Sequence, residues 1–202
     1  MKRLFDLAGA CAGLIVFAPI MAVIAVVVLV DDGGPVFFRQ ARLGRRRRPF
    51  TILKFRSMRD DRVTRAGRVL RATGLDEIPQ FLNILRGDMS AVGPRPLTDA
   101  DVQRLGWTSA TYDFRWDTRP GLTGLAQIVG AKTAEEALEL DRAYVARWKP
   151  LLDCQLIALS FAVNALGKVR VQQLLQRSAL ADAGCSPKAE PRRTRRTRRI
   201  SV

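Results

Sequence analysis

Between Leu7 and Val30 the chain carries no charged residue, only Leu, Ile, Val, Ala, Phe, Met, Gly, Cys and a single proline, Pro19. A helix of that length crosses a hydrocarbon core, which needs about 20 apolar residues. The run is longer than the apolar region of an ordinary signal peptide, and Val28-Leu29-Val30 offers no small-residue cleavage site, so an uncleaved membrane segment is expected. Both flanks are basic: Lys2 and Arg3 precede the run, while Arg39, Arg42 and Arg45 to Arg48 follow it. The positive-inside rule keeps both flanks in the cytoplasm. Pro19 lacks a backbone donor and clashes with the preceding turn, which is where a helix breaks and reverses. A kinked helix that spans the membrane is the alternative, since proline is tolerated within spans.

After Gly33-Gly34-Pro35 the pattern changes to short alternating runs. Val36-Phe37-Phe38 and Phe50-Thr51-Ile52-Leu53 read as two strands of a hairpin joined through a basic loop containing Gly44. Arg45 to Arg48 in that loop are expected to sit on anionic headgroups, with a solvated turn as the alternative. Helical spacing resumes from Leu75 to Arg86, placing Leu75, Ile78, Leu82 and Leu85 on one face and Asp76, Gln80 and Asn83 on the other, with Gly87 as a left-handed cap. Two Gly/Pro-rich stretches follow, Gly93-Pro94-Arg95-Pro96 and Arg119-Pro120-Gly121-Leu122-Thr123-Gly124. Thr133 with Glu136 marks the start of another helix, which Pro150 is expected to close. Leu151 to Leu166 is almost wholly apolar, either a core helix or one in the membrane interface. From Ser178 onward, Arg pairs alternate with Thr, Pro and Ser, a composition that predicts disorder. The expected fold is mostly α with a short β-hairpin (α+β). Its parts are a re-entrant, proline-broken membrane helix over residues 1–32, a cytoplasmic domain with interfacial helices over 33–177, and an Arg-rich tail over 178–202.

Charge and composition narrow the chemistry. The 202 residues hold 34 Lys and Arg against 19 Asp and Glu, a net charge of +15, which implies an anionic partner: nucleic acid, anionic lipid or a phosphorylated small molecule. There is no histidine, so a His general base, a Ser-His-Asp or Cys-His pair and a His-ligated metal are all excluded. Cys11, Cys154 and Cys185 stand apart and form no CxxC pair. Asp76 and Glu77 are adjacent at a helix start, with Lys54, Arg56, Arg71, Arg95 and Arg119 in flanking segments. Carboxylates among cations suit a Mg2+ ion held through oxygen and bridged to substrate phosphates, although such residues also decorate helix starts for structural reasons. Flanking cations are expected to keep Asp76 ionised.

The run from Gly74 through Leu75-Asp76-Glu77-Ile78-Pro79-Gln80 and Leu85-Arg86-Gly87-Asp88-Met89-Ser90 to Gly93-Pro94-Arg95-Pro96 closely resembles the motif of bacterial sugar transferases. These are the monotopic phosphoglycosyltransferases that begin polyprenol-linked glycan assembly. Similar matches are Phe5-Asp6, Pro35-Val36-Phe37-Phe38-Arg39-Gln40 with Gly44, Lys54-Phe55-Arg56-Ser57-Met58, Arg119 to Gln127, and Leu140-Asp141 with Tyr144-Val145. They run in family order over roughly residues 2 to 170.

The resemblance implies phosphosugar transfer from a UDP-sugar to undecaprenyl (polyprenol) phosphate with release of UMP, at the cytoplasmic face of the bacterial inner membrane, in the service of exopolysaccharide, capsule, O-antigen or glycoprotein synthesis. It implies a re-entrant helix broken at proline, here Pro19. It makes Asp76 the nucleophile that forms an aspartyl phosphosugar, Glu77 its partner, and Mg2+ (or Mn2+) a cofactor beside Asp76. Lys54, Arg71, Arg95, Arg119 and Gln127 become candidate contacts to substrate phosphates, Arg95 being held between two prolines that make either a preorganised clamp or a structural loop. Two departures stand out. Ile128-Val129-Gly130-Ala131 lacks the polar residue and arginine common in relatives, and the stretch from Met58 to Leu75 is short. Without an added membrane-spanning bundle, the chain is expected in the small, single-domain group. The competing function is a membrane-tethered basic protein that engages anionic lipid or nucleic acid without catalysis. Intact Asp76-Glu77 and Pro94-Arg95-Pro96 argue against it, and no nucleic acid partner is expected because no DNA-binding motif accompanies the apolar run.

Overall fold

A computed structural model describes residues 1–166. The chain is mostly helical with short strand pairs. Helix α1 (Lys2–Asp32) is the one described helix long and apolar enough to cross a membrane. Its 31 residues extend about 46 Å at the α-helical rise. Asp6, Ala10, Ile24, Val28 and Asp32 are buried, and between them Gly13 lies under the ring of Phe81, which stacks on Phe17 with centroids 6.2 Å apart. With Met21, which packs in the same cluster as Ile24, these positions recur every three or four residues and make one stripe along the whole helix. Off the stripe, Ile15, Val16, Val23, Val26, Val27 and Val30 are exposed. One face therefore belongs to the protein core and the rest is an apolar surface fit for lipid.

Both ends of α1 are tied to the same domain. Lys2 pairs with buried Asp153, and the Arg3 guanidinium donates to the carbonyls of Ile84 and Leu85. At the other end Asp32 pairs with Arg56 at 2.8 Å, and the Asp31 carboxylate accepts from the Ala66 amide at 2.9 Å. The helix continues through Pro19 without the expected interruption. Proline's fixed φ is itself helical, so its cost is one missing donor and local crowding. Packing on either side, Ala10 with Ile52 and Ile84, and Ile24 and Val28 with Phe55 and Leu70, holds the two halves against one surface.

Strands β1 (Phe37–Leu43) and β2 (Pro49–Phe55) form the expected hairpin, longer than the apolar runs predicted, with Phe37 opposite Phe55 and Leu43 opposite Pro49. Its basic tip does not lie free for headgroups throughout. Arg45 donates from Nε to the Asp117 carbonyl at 2.8 Å, and Arg47 pairs with Asp113 at 3.1 Å while covering the Trp116 ring, leaving Arg46 and Arg48 exposed. A two-rung hairpin, β3 (Met58–Arg59) with β4 (Arg62–Val63), leads into α2 (Arg65–Thr73). The predicted helix from Leu75 to Arg86 is split. A 3₁₀ turn covers Leu75–Glu77, and α3 begins only at Gln80 and runs to Arg86. Pro79 cannot donate to the preceding turn, so that turn tightens instead of continuing as α-helix. Asn83, assigned to a polar face, is fully buried and serves the edge of β2, accepting from the Leu53 amide at 3.0 Å and donating to the Thr51 carbonyl at 2.7 Å. Gly87 caps α3 at φ 91°, as expected.

The two Gly/Pro-rich stretches meet. Strand β5 (Ser90–Val92) pairs in parallel with β6 (Gly121–Thr123), extended by Gly93 N–H to Thr123 O and Gly121 N–H to Pro94 O, both 2.9 Å. Helix α4 (Asp99–Leu105) follows β5 in the chain and packs Val102 with Trp107 and Trp116, while α5 (Leu125–Val129) follows β6 and packs Ile128 against Val92. Thr133 caps α6 (Ala134–Ala146) by accepting from the Glu136 amide, but the Glu136 carboxylate turns to Lys132 N–H. Pro150 does not close α6; it is the first residue of α7 (Pro150–Leu166), where its missing N–H has no helical partner to lose. Helix α7 is a core helix on one side, with Leu156 buried beside Val92 and Tyr144, while Leu151 and Phe161 are exposed. Residues 167–177 of the expected domain and the tail from Ser178 lie outside the described residues.

A methyl group on Gly121 would collide with the Gly93 backbone, whereas one on Gly9 of α1 meets nothing within 4 Å. Gly121→Ala is therefore expected to destabilise the protein by about 3 kcal/mol or more, as overpacking against backbone does. Gly9→Ala should leave the melting temperature unchanged or slightly raised, since alanine is the better helix former. Thermal unfolding of both variants in detergent measures the contrast.

Candidate active site

Gly74, at φ 71°, turns the chain out of α2 and delivers Asp76 and Glu77 on the 3₁₀ turn, both half-buried. Lys54 reaches from β2 to form an ion pair with Glu77. Beside this pair is a small cleft walled by Arg42 and Lys54 from the hairpin, Glu77 and Gln80, Arg95 with Pro96, and Gln127 from α5, with Ile52 and Leu122 as its apolar surface. Lys54, Glu77, Arg95 and Gln127, read separately from the sequence, thus share one cleft. Arg42 and Gln80 were not singled out. Arg42 looked like one more flanking charge, and Gln80 like the polar face of a helix, although it lies one turn after Glu77.

Asp76 has its carboxyl pKa raised above the ordinary value of 3.8. Burial is the main cause and neighbouring Glu77 the next; Lys54, a backbone N–H and Arg71 oppose them without prevailing. The flanking cations therefore do not lower the Asp76 pKa as expected; burial and Glu77 shift it upward. Lys54 is committed to Glu77, and the exposed Arg71 guanidinium contacts the Met58 sulfur at 2.9 Å. Two adjacent carboxyl groups, one of them under-compensated, are a donor set that a hard divalent cation would suit. Among the described residues no cluster of three or more Asp, Glu, Cys or His exists, so substrate phosphates would have to complete the coordination, as is usual for Mg2+.

Arg95 is exposed between buried Pro94 and Pro96. Its carbonyl accepts from Arg115 at 2.7 Å, and Arg115 is buried between the rings of Trp107 and Trp116 and paired with Asp141 at 2.8 Å. Desolvation is the leading influence on both members, lowering the guanidinium pKa and raising that of Asp141 against their mutual attraction. A pair like this stabilises little over an apolar substitute but is costly to break singly. Arg119 is outside the cleft, its Nε donating to the Gly87 carbonyl at 2.9 Å and so supporting the α3 cap. Arg115→Ala should lower stability by about 3–5 kcal/mol because it strands Asp141, and Arg115→Ala combined with Asp141→Leu should recover part of that loss. Denaturant titrations of the single and double variants test it.

The model of a family described as bacterial sugar transferase matches residues 1–166. Among curated proteins, the chain is 43% identical over 159 residues to a UDP-glucose:undecaprenyl-phosphate glucose-1-phosphate transferase of Caulobacter vibrioides, covering 72% of this chain and 60% of that one. A transferase of the same description from Klebsiella pneumoniae is 39% identical, with 83% of this chain and 40% of the relative covered. An uncharacterised sugar transferase of Bacillus subtilis is 40% identical, with 79% and 85% covered. The chain thus spans 60% and 40% of the first two relatives' lengths.

Proposed function

The chain belongs to the bacterial sugar transferase family, and from that membership we propose that it transfers a phosphosugar from a UDP-sugar to undecaprenyl phosphate, releasing UMP. The observation that carries this reading is a cleft bearing Arg42, Lys54, Arg95 and Glu77, with half-buried Asp76 next to Glu77 in the chain and near enough to feel the charges of both Glu77 and Lys54. Three cations draw in a diphosphate, and a carboxylate stands ready to attack it. A basic protein that only bound lipid or nucleic acid would have no use for two half-desolvated carboxyl groups, whose burial carries a free-energy cost.

The reaction proceeds by double displacement. An Asp76 carboxylate oxygen attacks the sugar-bearing phosphorus, the bond from that phosphorus to the bridging oxygen breaks, and UMP departs with the electron pair. A phosphate oxygen of the polyprenol phosphate then attacks the same phosphorus and releases the Asp76 carboxylate. Lys54 and Arg95 stabilise charge on the phosphoryl oxygens, and no histidine is required because an ionised carboxylate needs no base. Asp76 would hold Mg2+ (or Mn2+), which when bound supplies further neutralisation of the leaving phosphate. Glu77 orients Lys54 through their ion pair.

Anchoring of both ends of α1 on one domain supports a monotopic placement at the cytoplasmic face of the inner membrane, with the unbroken α1 lying along one leaflet and both of its ends on the cytoplasmic side. A reporter on the N-terminus and a cysteine replacing Arg39 should then both be reached from the cytoplasm only; periplasmic access to either one alone would mean a spanning helix.

Asp76→Asn should reduce UMP release by roughly 10³-fold or more, the scale of nucleophile removals. Mass spectrometry of the wild type with UDP-sugar and Mg2+ but no acceptor should find a phosphosugar adduct mapped to Asp76; an adduct elsewhere excludes this nucleophile. The pH profile has a fixed sign. Ionised Asp76 is the reactive form and its pKa is raised, so activity should decline with falling pH at a higher pH than an ordinary aspartate would give. Glu77→Gln removes one cause of the increase and should move that acid limb to lower pH, whatever it does to the maximum rate.

A further inference from the structure

Lys54 and Arg95 account for a diphosphate, but three other polar atoms in the cleft walls are unused. Arg42 Nε, Gln80 Nε2 and Gln127 Oε1 are each buried with no hydrogen-bond partner. Buried groups in that condition are uncommon and carry a free-energy penalty that a ligand can remove. Gln80 is only 2% exposed. Arg42 already gives its terminal nitrogens to Gln40 Oε1 at 2.6 Å and the Pro96 carbonyl at 3.2 Å, so Nε alone remains to donate. Gln127 Oε1 is seated over Gly124, where any side chain would displace it.

The polarity of these atoms identifies the ligand group. Gln127 Oε1 can only accept, and an ionised diphosphate has no proton to offer it. Gln80 Nε2 and Arg42 Nε can only donate. A hydroxyl group, which both donates and accepts, satisfies either kind, and neighbouring hydroxyls on a ring satisfy both at once. We infer that Gln80 and Gln127, assisted by Arg42 Nε, recognise the hydroxyl groups of the donor's sugar, so that these two amides discriminate between sugars while Lys54 and Arg95 hold the diphosphate. This rests on the reading of the donor as a UDP-sugar.

The test compares binding of UDP with that of UDP-sugars to the full-length chain in detergent with Mg2+. UDP-glucose, UDP-galactose and UDP-N-acetylgalactosamine are the probes, and the tightest is carried forward. Gln80→Met and Gln127→Met keep side-chain length and remove the polar ends. Each is expected to weaken the UDP-sugar by about five- to tenfold, the worth of one or two neutral hydrogen bonds, while leaving UDP unchanged. The ratio of kcat/KM between UDP-glucose and UDP-galactose should fall toward one in the same variants. Parallel loss of UDP and UDP-sugar in both variants, or no change in either, overturns the assignment and makes the amides structural or nucleotide-binding. Donors deoxygenated at single ring positions give a ligand-side measurement on the wild type that needs no variant. At least one should bind weaker than its parent by the same factor, and parity of all of them also overturns the assignment. A wild type that binds neither UDP nor any UDP-sugar refutes the donor reading itself, an outcome separate from both.

Discussion

Strands β2 and β5 and helices α2 and α3 are all built against one stripe of α1. A helix that is apolar all round has no intrinsic preference for how it meets a protein surface, yet this one carries carboxylates at Asp6 and Asp32, both buried in the stripe. Asp6 accepts from the Ser90 hydroxyl and the Ala91 amide at 2.9 Å each, at the head of β5, and Asp32 receives Arg56 from the end of β2. A carboxylate in an apolar helix is tolerated only where it has partners. These two acids therefore fix both the rotation and the height of α1 on the domain. Lys2, wedged with Asp153, Tyr144 and Trp148, adds the third point. Apolar burial supplies affinity, and the charged pairs supply register.

The same constraint reaches the cleft. Strand β2 packs Phe55 against Ile24 and Val28 of α1, while the neighbouring residue, Lys54, points to the other side of the strand and faces Glu77. Strand β5 is held at its head by Asp6 and continues into Pro94-Arg95-Pro96. Its parallel pairing with β6 works only because Gly93, Gly121 and Gly124 allow backbones to approach closer than any side chain permits. The loop that carries Arg95 and the helix that carries Gln127 are in this way placed by backbone contacts, to which the packing of Ile128 against Val92, Tyr144 and Leu156 adds.

Legibility from the sequence followed the range of the interactions involved. The membrane segment, the hairpin, the Thr133 cap and the Gly87 cap are set by neighbours within a few residues, and each was readable from its own stretch. Pro79 was visible, but its effect on the Leu75 to Arg86 helix required weighing a missing donor against a continuous apolar period. Asn83 and Gln80 sit at polar positions of that period and are nevertheless buried, because the partner surface is a strand edge thirty residues earlier in one case and the cleft in the other. Pro150 was assigned to the wrong helix since proline marks ends and beginnings alike. The family motif located Asp76 and Glu77, while the arginines around them divided by geometry: Arg95 at the cleft, Arg71 outside it, Arg119 turned to a helix cap.

The charge arrangement around Asp76 has a consequence that composition conceals. A chain with +15 net charge suggests that any carboxylate is over-compensated, yet long-range charge is screened beyond about 10 Å and the balance is struck locally. At Asp76 the local balance is one acidic neighbour, one lysine already paired and partial burial, and desolvation leads. The carboxyl is thereby made more basic than a solvated aspartate, and basicity toward protons runs parallel to nucleophilicity toward phosphorus. A fully compensated, strongly acidic aspartate would be ionised at lower pH but would be a poorer attacking group. Burial raises the pKa at Asp76 while the cations gather in the cleft beside Glu77, so an under-neutralised carboxyl stands next in the chain to a site that concentrates positive charge.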